Sequence, residues 1–345
     1  VATVVPIARG IPFDTLTYYT PEQLTSGTLV TVPLGRQVLT ALVIDCVALA
    51  DAKSMVKSAA FSLKKVKAVV GHIPYFEHVV SALRTTALQT FAPIGAVAGA
   101  VIPSGLFEYI TEEKITTEIH SGSCIEHAVA ATTVGRSDIY KQQIRSAFAQ
   151  KKSVLLIAPT IHSLETWRVA LEKGIQKHVV VFHSKVTKKD LRTNFSTIKS
   201  SDRPLLILAT PGYLLIPRAD LGYIIAEDEA SALYKTNDRY AIDLRIMIRA
   251  FAEHAGLDLT WGDTIPRFET LGRLNAEHLP RAYVPEQLHV IPVEQYRTTL
   301  PSEVIDLVRH AQKKKKRLFI YTNRKGVAPL SRCADCATIV TCPTC

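Results

Sequence analysis

Four cysteines near the end of the chain follow the pattern Cys333-x2-Cys336-x5-Cys342-x2-Cys345. Each Cys-x2-Cys turn presents a thiolate pair, and four thiolates make the closed tetrahedral shell of a structural zinc site. The gap between the pairs is short for wrapping one ion, so each pair can equally await a second pair further along. The other two of the six cysteines, Cys46 and Cys124, are scattered. Such a distribution reads as a metal site in a reducing cytosol rather than as a disulfide framework.

A second group of residues has the spacing of phosphate chemistry. The run Ala130-Ala-Thr-Thr-Val-Gly-Arg-Ser137 lies where an apolar strand should meet a helix. In a G-x4-G-K-[ST] loop, glycines let backbone N–H groups face phosphates, the lysine reaches the β and γ phosphates, and the hydroxyl holds Mg²⁺. Thr132, Gly135, Arg136 and Ser137 keep part of that set, with Ala130 at the first glycine and Arg136 at the lysine. Downstream, the apolar run Ile224-Ile-Ala226 ends in Glu227-Asp228-Glu229. There a nucleotide motor keeps its Mg²⁺ ligand and the base that activates water. Active boxes read Asp-Glu where this chain reads Glu-Asp, and a displacement of ~1 Å costs about 100-fold in rate. The charge survives, the geometry is altered, and no catalytic residue is assigned. The expectation is little or no hydrolysis of ATP with Mg²⁺.

These residues need strands and helices to position them. Short apolar runs at Ala2–Pro6, Leu29–Pro33, Leu39–Val47 and Val66–Val70, with turn signals between them, predict a small, mainly β unit. A helical stretch at Phe76–Gln89 follows. A polar segment around Glu112-Glu113-Lys114 suits a linker. From there the rhythm is α/β: buried-strand runs at Val154–Ala158, Val179–Phe182, Leu205–Ala209, Tyr223–Ala226, Leu257–Trp261 and Leu318–Tyr321 alternate with helical stretches such as Asp138–Gln150 and Leu164–Lys173. That alternation predicts a parallel sheet covered on both faces. The run Lys313–Arg317 after a helix at Ser302–Gln312 reads as cations at a solvated helix C-terminus, with a dedicated phosphate-binding patch as the alternative.

With 345 residues, two or three domains fit. Lys and Arg number 41 against 31 Asp and Glu, a net charge of +10 that favours a polyanionic partner. No uninterrupted apolar run reaches the ~18 residues of a membrane span, and no secretory signal opens the sequence. The chain starts at Val1 and stops at Cys345, inside a cysteine motif, which predicts a fragment at both ends.

The order of these pieces resembles the PriA family, the primosomal protein N-prime of bacterial replication restart. The resemblance rests on Arg9–Tyr19, Val30–Arg36, Val66–Val70 and Pro93–Gly95 for its N-terminal domain, and on Leu221–Glu229 with Tyr234-Lys235 for its Walker B region. Gly262–Pro266 with Glu269-Thr270 resembles its third helicase motif, and Thr322–Pro329 with the four cysteines resembles the start of its second lobe. The fold implied is an α/β chain in four parts. Residues 1–104 would be a mainly β domain that binds DNA 3′ ends, and 105–122 a linker where the family's winged helix is missing. Residues 123–290 would be a degenerate RecA-like helicase lobe, and 291–345 the start of a truncated second lobe with its zinc insert. The family's interleaved cysteines imply structural zinc, and its 3′-end pocket maps onto Leu16, Thr17, Tyr18, Gly35 and Lys67. Thr17 stands where the family carries an acid, which predicts weaker recognition of the terminal nucleotide, and Asp14 is a candidate substitute.

The function implied is a cytoplasmic DNA-binding protein of primosome assembly. It would recognise forked or single-stranded DNA with 3′ ends and work with single-strand-binding and helicase-loading proteins, without helicase activity. A weak DNA-dependent ATPase and 3′-to-5′ helicase, and a zinc-bearing protein-interaction module, are the alternatives.

Overall fold

Alternating Val, Leu and Thr build β1 (Ala2–Pro6), β2 (Leu16–Tyr19), β3 (Thr28–Leu34) and β4 (Gln37–Cys46), which pair antiparallel. The computed structural model describes residues 1–8, 13–52, 63–73, 76–102, 124–274, 301–320, 331–332, 335–336 and 338–340. Two short strands, β5 (Lys64–Lys65) and β6 (Ala68–His72), belong to one segment; β5 runs beside β2 and β6 beside β3. In the order β5-β2-β1-β4-β3-β6 this segment therefore joins both edges and closes the sheet on itself. Across the seam, Val66 N–H donates to the Tyr19 carbonyl at 3.0 Å and Lys67 N–H to the Thr31 carbonyl at 2.8 Å.

Because successive strand residues face opposite sides, the barrel strands serve two cores. Ala2, Val4, Val30, Val32 and Val43 fill the barrel interior. Val5, Leu29 and Leu42 face outward into a second, larger core. That core also takes α1 (Phe76–Thr90) and α2 (Ile94–Val101) through Val79, Leu83, Val97 and Val101. Its other contributors, Leu214, Met247 and Phe251, come from the following lobe. Val1–Tyr283 form one compact unit and Val284–Cys345 a second. The expected linker, 105–122, lies outside the described residues.

The lobe within the first unit runs β7 (Glu126–Ala130), α3 (Thr133–Ala149), β8 (Ser153–Ile157), α4 (Ile161–Leu171), β9 (Val179–Phe182) and α5 (Lys188–Ser200). It continues with β10 (Leu206–Ala209), β11 (Leu221–Glu227), α6 (Leu244–Ala255), β12 (Asp258–Asp263) and α7 (Phe268–Arg273). The six strands are parallel, in the order β7-β12-β11-β8-β10-β9. Both faces are covered, as continuous apolar runs require. Leu155, Ile157, Ile207 and Ala209 face the shared core, while Val154, Leu156, Leu206 and Leu208 face α3 and α4 through Ile144, Leu164 and Trp167.

In the second unit, α8 (Ser302–Lys313) ends in the exposed run up to Arg317, where cations complement the helix dipole. The strand expected at Leu318–Tyr321 is corrected for its described part. Leu318, Phe319 and Ile320 are exposed and unpaired with any strand among the described residues, so nothing there buries an apolar run. A two-stranded ribbon, β13 (Ser331–Arg332) with β14 (Ile339–Val340), follows. Among the described residues no helix is long and apolar enough to cross a membrane.

Candidate nucleotide and nucleic-acid sites

Strand register brings the phosphate-type motifs together. Asp263 lies beside Ala130, Gly262 beside Glu227, and Ala226 beside Ile157. The loop, the acidic box and the Gly262-Asp-Thr segment thus meet at the carboxyl ends of adjacent parallel strands, where open α/β sheets bind ligands.

The phosphate-type residues lie at the strand-to-helix junction. β7 ends at Ala130 and α3 begins at Thr133, so Gly135 and Arg136 lie in its first turn and Ser137 just beyond it. Thr132 is the N-cap, and its Oγ1 accepts the Gly135 N–H at 3.3 Å. A helix N-cap takes up backbone donors that a phosphate would otherwise receive. With one glycine in the run instead of several, the backbone has little reason to leave regular helical geometry.

Arg136 turns inward. Its side chain is 3% exposed, and it meets Glu227, which is fully buried. Nε donates to both carboxylate oxygens, at 3.0 and 3.2 Å, and Nη2 donates to Oε1 at 2.5 Å. Nη1 donates to the Ala131 carbonyl and, at 3.0 Å, to Thr264 Oγ1. Tyr140, one turn along α3, adds its hydroxyl to Glu227 Oε2 at 2.5 Å. Gly262 makes room for this cluster: a Cβ there would lie 1.6 Å from the Tyr140 hydroxyl and 2.7 Å from Glu227 Oε2. The Trp167 ring lies 5.7 Å from the guanidinium carbon.

The rest of the box is engaged as well. Asp228 sits at φ +52°, a conformation that Asp tolerates better than most residues. Its Oδ2 accepts the Ser163 hydroxyl at 2.6 Å, and its Oδ1 lies 3.8 Å from Arg136 Nη2. Glu229 is buried and accepts the Arg267 N–H at 2.7 Å. Burial pushes the Glu227 carboxyl up to about 7, against the pull of the Arg136 and Tyr140 donors, and the neighbouring Asp228 charge pushes the same way. Arg136 is held above the usual guanidinium range; burial opposes this, and the bond to Glu227 outweighs it. Chemically, the cluster is an internal cation set against a buried carboxylate, whose two oxygens already accept from the Arg136 guanidinium and the Tyr140 hydroxyl. Tyr140 and Ser163 were not singled out as site residues from sequence; Tyr140 stands four residues from Arg136, the spacing that shares a helix face, whereas nothing near Ser163 marks it.

On the barrel, the seam brings part of the 3′-end set together. Lys67 is exposed on the closing segment and its backbone bonds to Thr31. Gly35, at φ +59°, opens the two-residue hairpin between β3 and β4, where a type II′ turn needs a positive φ. Leu16 and Thr17 are half-buried on β2. Tyr18, by contrast, is buried. Its ring is 4% exposed inside the barrel, and its hydroxyl donates to the Pro33 carbonyl at 3.0 Å. Alternation along β2 decides this, since Tyr18 faces inward while the neighbouring Tyr19 is 45% exposed. Asp14, the candidate substitute acid, accepts the Ile94 N–H at 3.1 Å at the start of α2.

Of the cysteine set, Cys336 lies exposed in the connection between β13 and β14, with its thiol donating to Thr338 Oγ1 at 3.1 Å. Cys333, Cys342 and Cys345 lie outside the described residues.

A small β domain packed on a six-stranded parallel lobe with charged motifs at its strand ends defines the fold class: an α/β lobe of RecA-like topology joined to a mainly β domain. Residues 3–103 match the family described as the 3′DNA-binding domain (3′BD) of PriA. The chain is 23% identical to the replication restart protein PriA of Helicobacter pylori (strain 26695) over 99% of its own length and 55% of the relative's. It is also 23% identical to that of Rickettsia conorii, over 99% and 56% respectively. For Bacillus subtilis the figures are 23% identity over 64% of this chain and 29% of the relative. The chain is thus similar to these PriA proteins along nearly its whole length, and it spans about half the length of these first relatives.

Proposed function

We propose that this protein is a DNA-binding component of replication restart that holds forked or single-stranded DNA at its 3′ ends and does not unwind it. The observation that carries the reading is the buried Arg136–Glu227 pair at the strand ends of a lobe that is fused to a 3′DNA-binding domain. The DNA-binding part is kept whole, while the motor's central carboxylate is neutralised from within. Such a protein marks a fork for others in the cytoplasm. Single-strand-binding protein and the primosome or helicase-loading proteins are its partners in this reading.

The test uses the whole chain, because α1 and α2 share a core with the lobe. A fork with a free 3′ hydroxyl should bind a few-fold more tightly than one with a 3′ phosphate. Thr17 offers no carboxylate to the terminal nucleotide, so the preference stays modest. Lys67→Glu should weaken binding to every DNA end and lower the salt slope by about one phosphate contact. Equal affinity for both forks, together with an unaltered Lys67→Glu variant, would mean that the barrel does not read DNA ends.

Zinc belongs to the same reading as a structural ion on Cys333, Cys336, Cys342 and Cys345, whose four thiolates suit it chemically. Two pairs that lack their family counterparts should hold metal loosely. Metal analysis after dialysis is expected to give well below one zinc per chain for residues 1–345, rising when the family's further cysteines are appended. One tightly held ion in residues 1–345 would instead make these four a self-sufficient site.

A further inference from the structure

The turn between α1 and α2 carries a side chain that the fold does not use. Phe91 follows the last residue of α1 at φ +52°, in the left-handed position that a helix C-terminus ordinarily gives to Gly or Asn. Its ring is 94% exposed. The Ala92 N–H closes the turn on the Ala87 carbonyl at 3.1 Å, which needs no phenyl ring. A bulky residue in left-handed backbone is strained, and an aromatic ring left in water recovers nothing for that strain. Leu88, on the same helix face and one turn earlier, is 76% exposed.

Both stand over a groove of about 720 Å³ that Arg84, Pro93, Ile94 and Tyr240 also line. The Arg239 guanidinium lies over the Tyr240 ring, 4.6 Å from its centroid. Asp14, the acid in the lining, is bonded to the Ile94 N–H. That bond also fixes the chain just before β2, so the groove adjoins Leu16 and Thr17 of the 3′-end set.

We propose that Leu88, Phe91 and Tyr240, flanked by Arg84 and Arg239, form a stacking platform for unpaired nucleotides of a DNA strand running to the barrel. The proposal rests on the DNA-binding reading above and adds a location to it. Aromatic and guanidinium planes accept any base face, and the two arginines suit a phosphate backbone in a chain of net charge +10. An acidic or purely apolar peptide would use neither the exposed ring nor the planar arginine on Tyr240 as fully.

The experiment measures binding of the whole chain to a fluorescent oligo-thymidine strand with a free 3′ end, alongside thermal melting and sedimentation. Phe91→Gly should lower affinity about tenfold, the loss of one stacked base. Its melting temperature should be unchanged or higher, because glycine suits the backbone. Arg84→Glu should weaken binding and reduce the salt slope by about one. Wild-type affinity in Phe91→Gly overturns the platform while leaving the DNA-binding reading in place. A lower melting temperature that accompanies the affinity loss makes the ring structural and overturns it too. Altered self-association with unaltered DNA affinity would assign the groove to protein contact instead. Failure of the wild-type chain to bind any strand sinks the underlying reading, and the platform with it.

Discussion

ATP hydrolysis by this chain should stay at background, with or without forked DNA. A working site needs a loop whose N–H groups face phosphate, a free cation beside it, and a carboxylate open to Mg²⁺. Here α3 starts at Thr133, Thr132 caps it, the Arg136 fork is bonded to Glu227, Ala131 and Thr264, and Glu227 is fully buried beneath it. Arg136→Lys should not restore turnover. Lysine matches the family residue, but it arrives on a helical turn rather than in a cradle, and a point-charge ammonium does not replace a bidentate fork. Phosphate release should be followed for both proteins. Thermal melting with millimolar Mg-ATP should show no upward shift, whereas a ligand at 100 times its Kd would stabilise the fold by about 2.7 kcal/mol. Turnover of about 1 per second, the low end of ordinary enzymes, would show that the helix opens into a functional loop and would favour the helicase alternative.

Removing the internal cation should unsettle the lobe more than removing the whole cluster. Arg136→Ala leaves the Glu227 carboxylate buried without its main partner, a change that costs about 3–5 kcal/mol at such sites. For a unit of this size that corresponds to a fall of roughly 10 °C in melting temperature. Replacing the cluster together, as Arg136→Met, Glu227→Leu and Tyr140→Phe, removes the buried charges and the lone hydroxyl at once. That variant should melt close to the wild type, because well-packed apolar groups commonly match a buried ion pair. Denaturant unfolding of both proteins decides the matter. If Arg136→Ala unfolds like the wild type, the pair is solvated and the site is open to ligands.

Much of the fold was legible in the sequence because strand and helix periods differ. The run Val179–Phe182 and the helix beginning at Ser302 were read closely, and the α/β alternation set the lobe's class. The stretch from Ile94 is not marked as a helix by periodicity, since Gly, Ala and Val on every side carry no helical stripe. It became a helix because both of its sides are buried. The helix read from Asp138 begins at Thr133 instead, as the expected glycine loop carries too few glycines to stay a loop.

The site divides the same way. Residue types and order alone carried the family resemblance, the loss of the phosphate-loop glycines, the reversed Glu227-Asp228 box and the cysteine spacing, because these are properties of covalent sequence. Tertiary structure decided which way the charges turned. Arg136 could have faced solvent and a phosphate; the register of β11 beside β12 and the missing side chain at Gly262 put Glu227 within its reach. Tyr18 could have faced DNA, but barrel closure made its side of β2 the interior. Phe91 could have been an ordinary apolar residue in a turn; only the left-handed backbone and the empty space around its ring set it apart. In each case the deciding quantity was burial, which depends on residues far away along the chain.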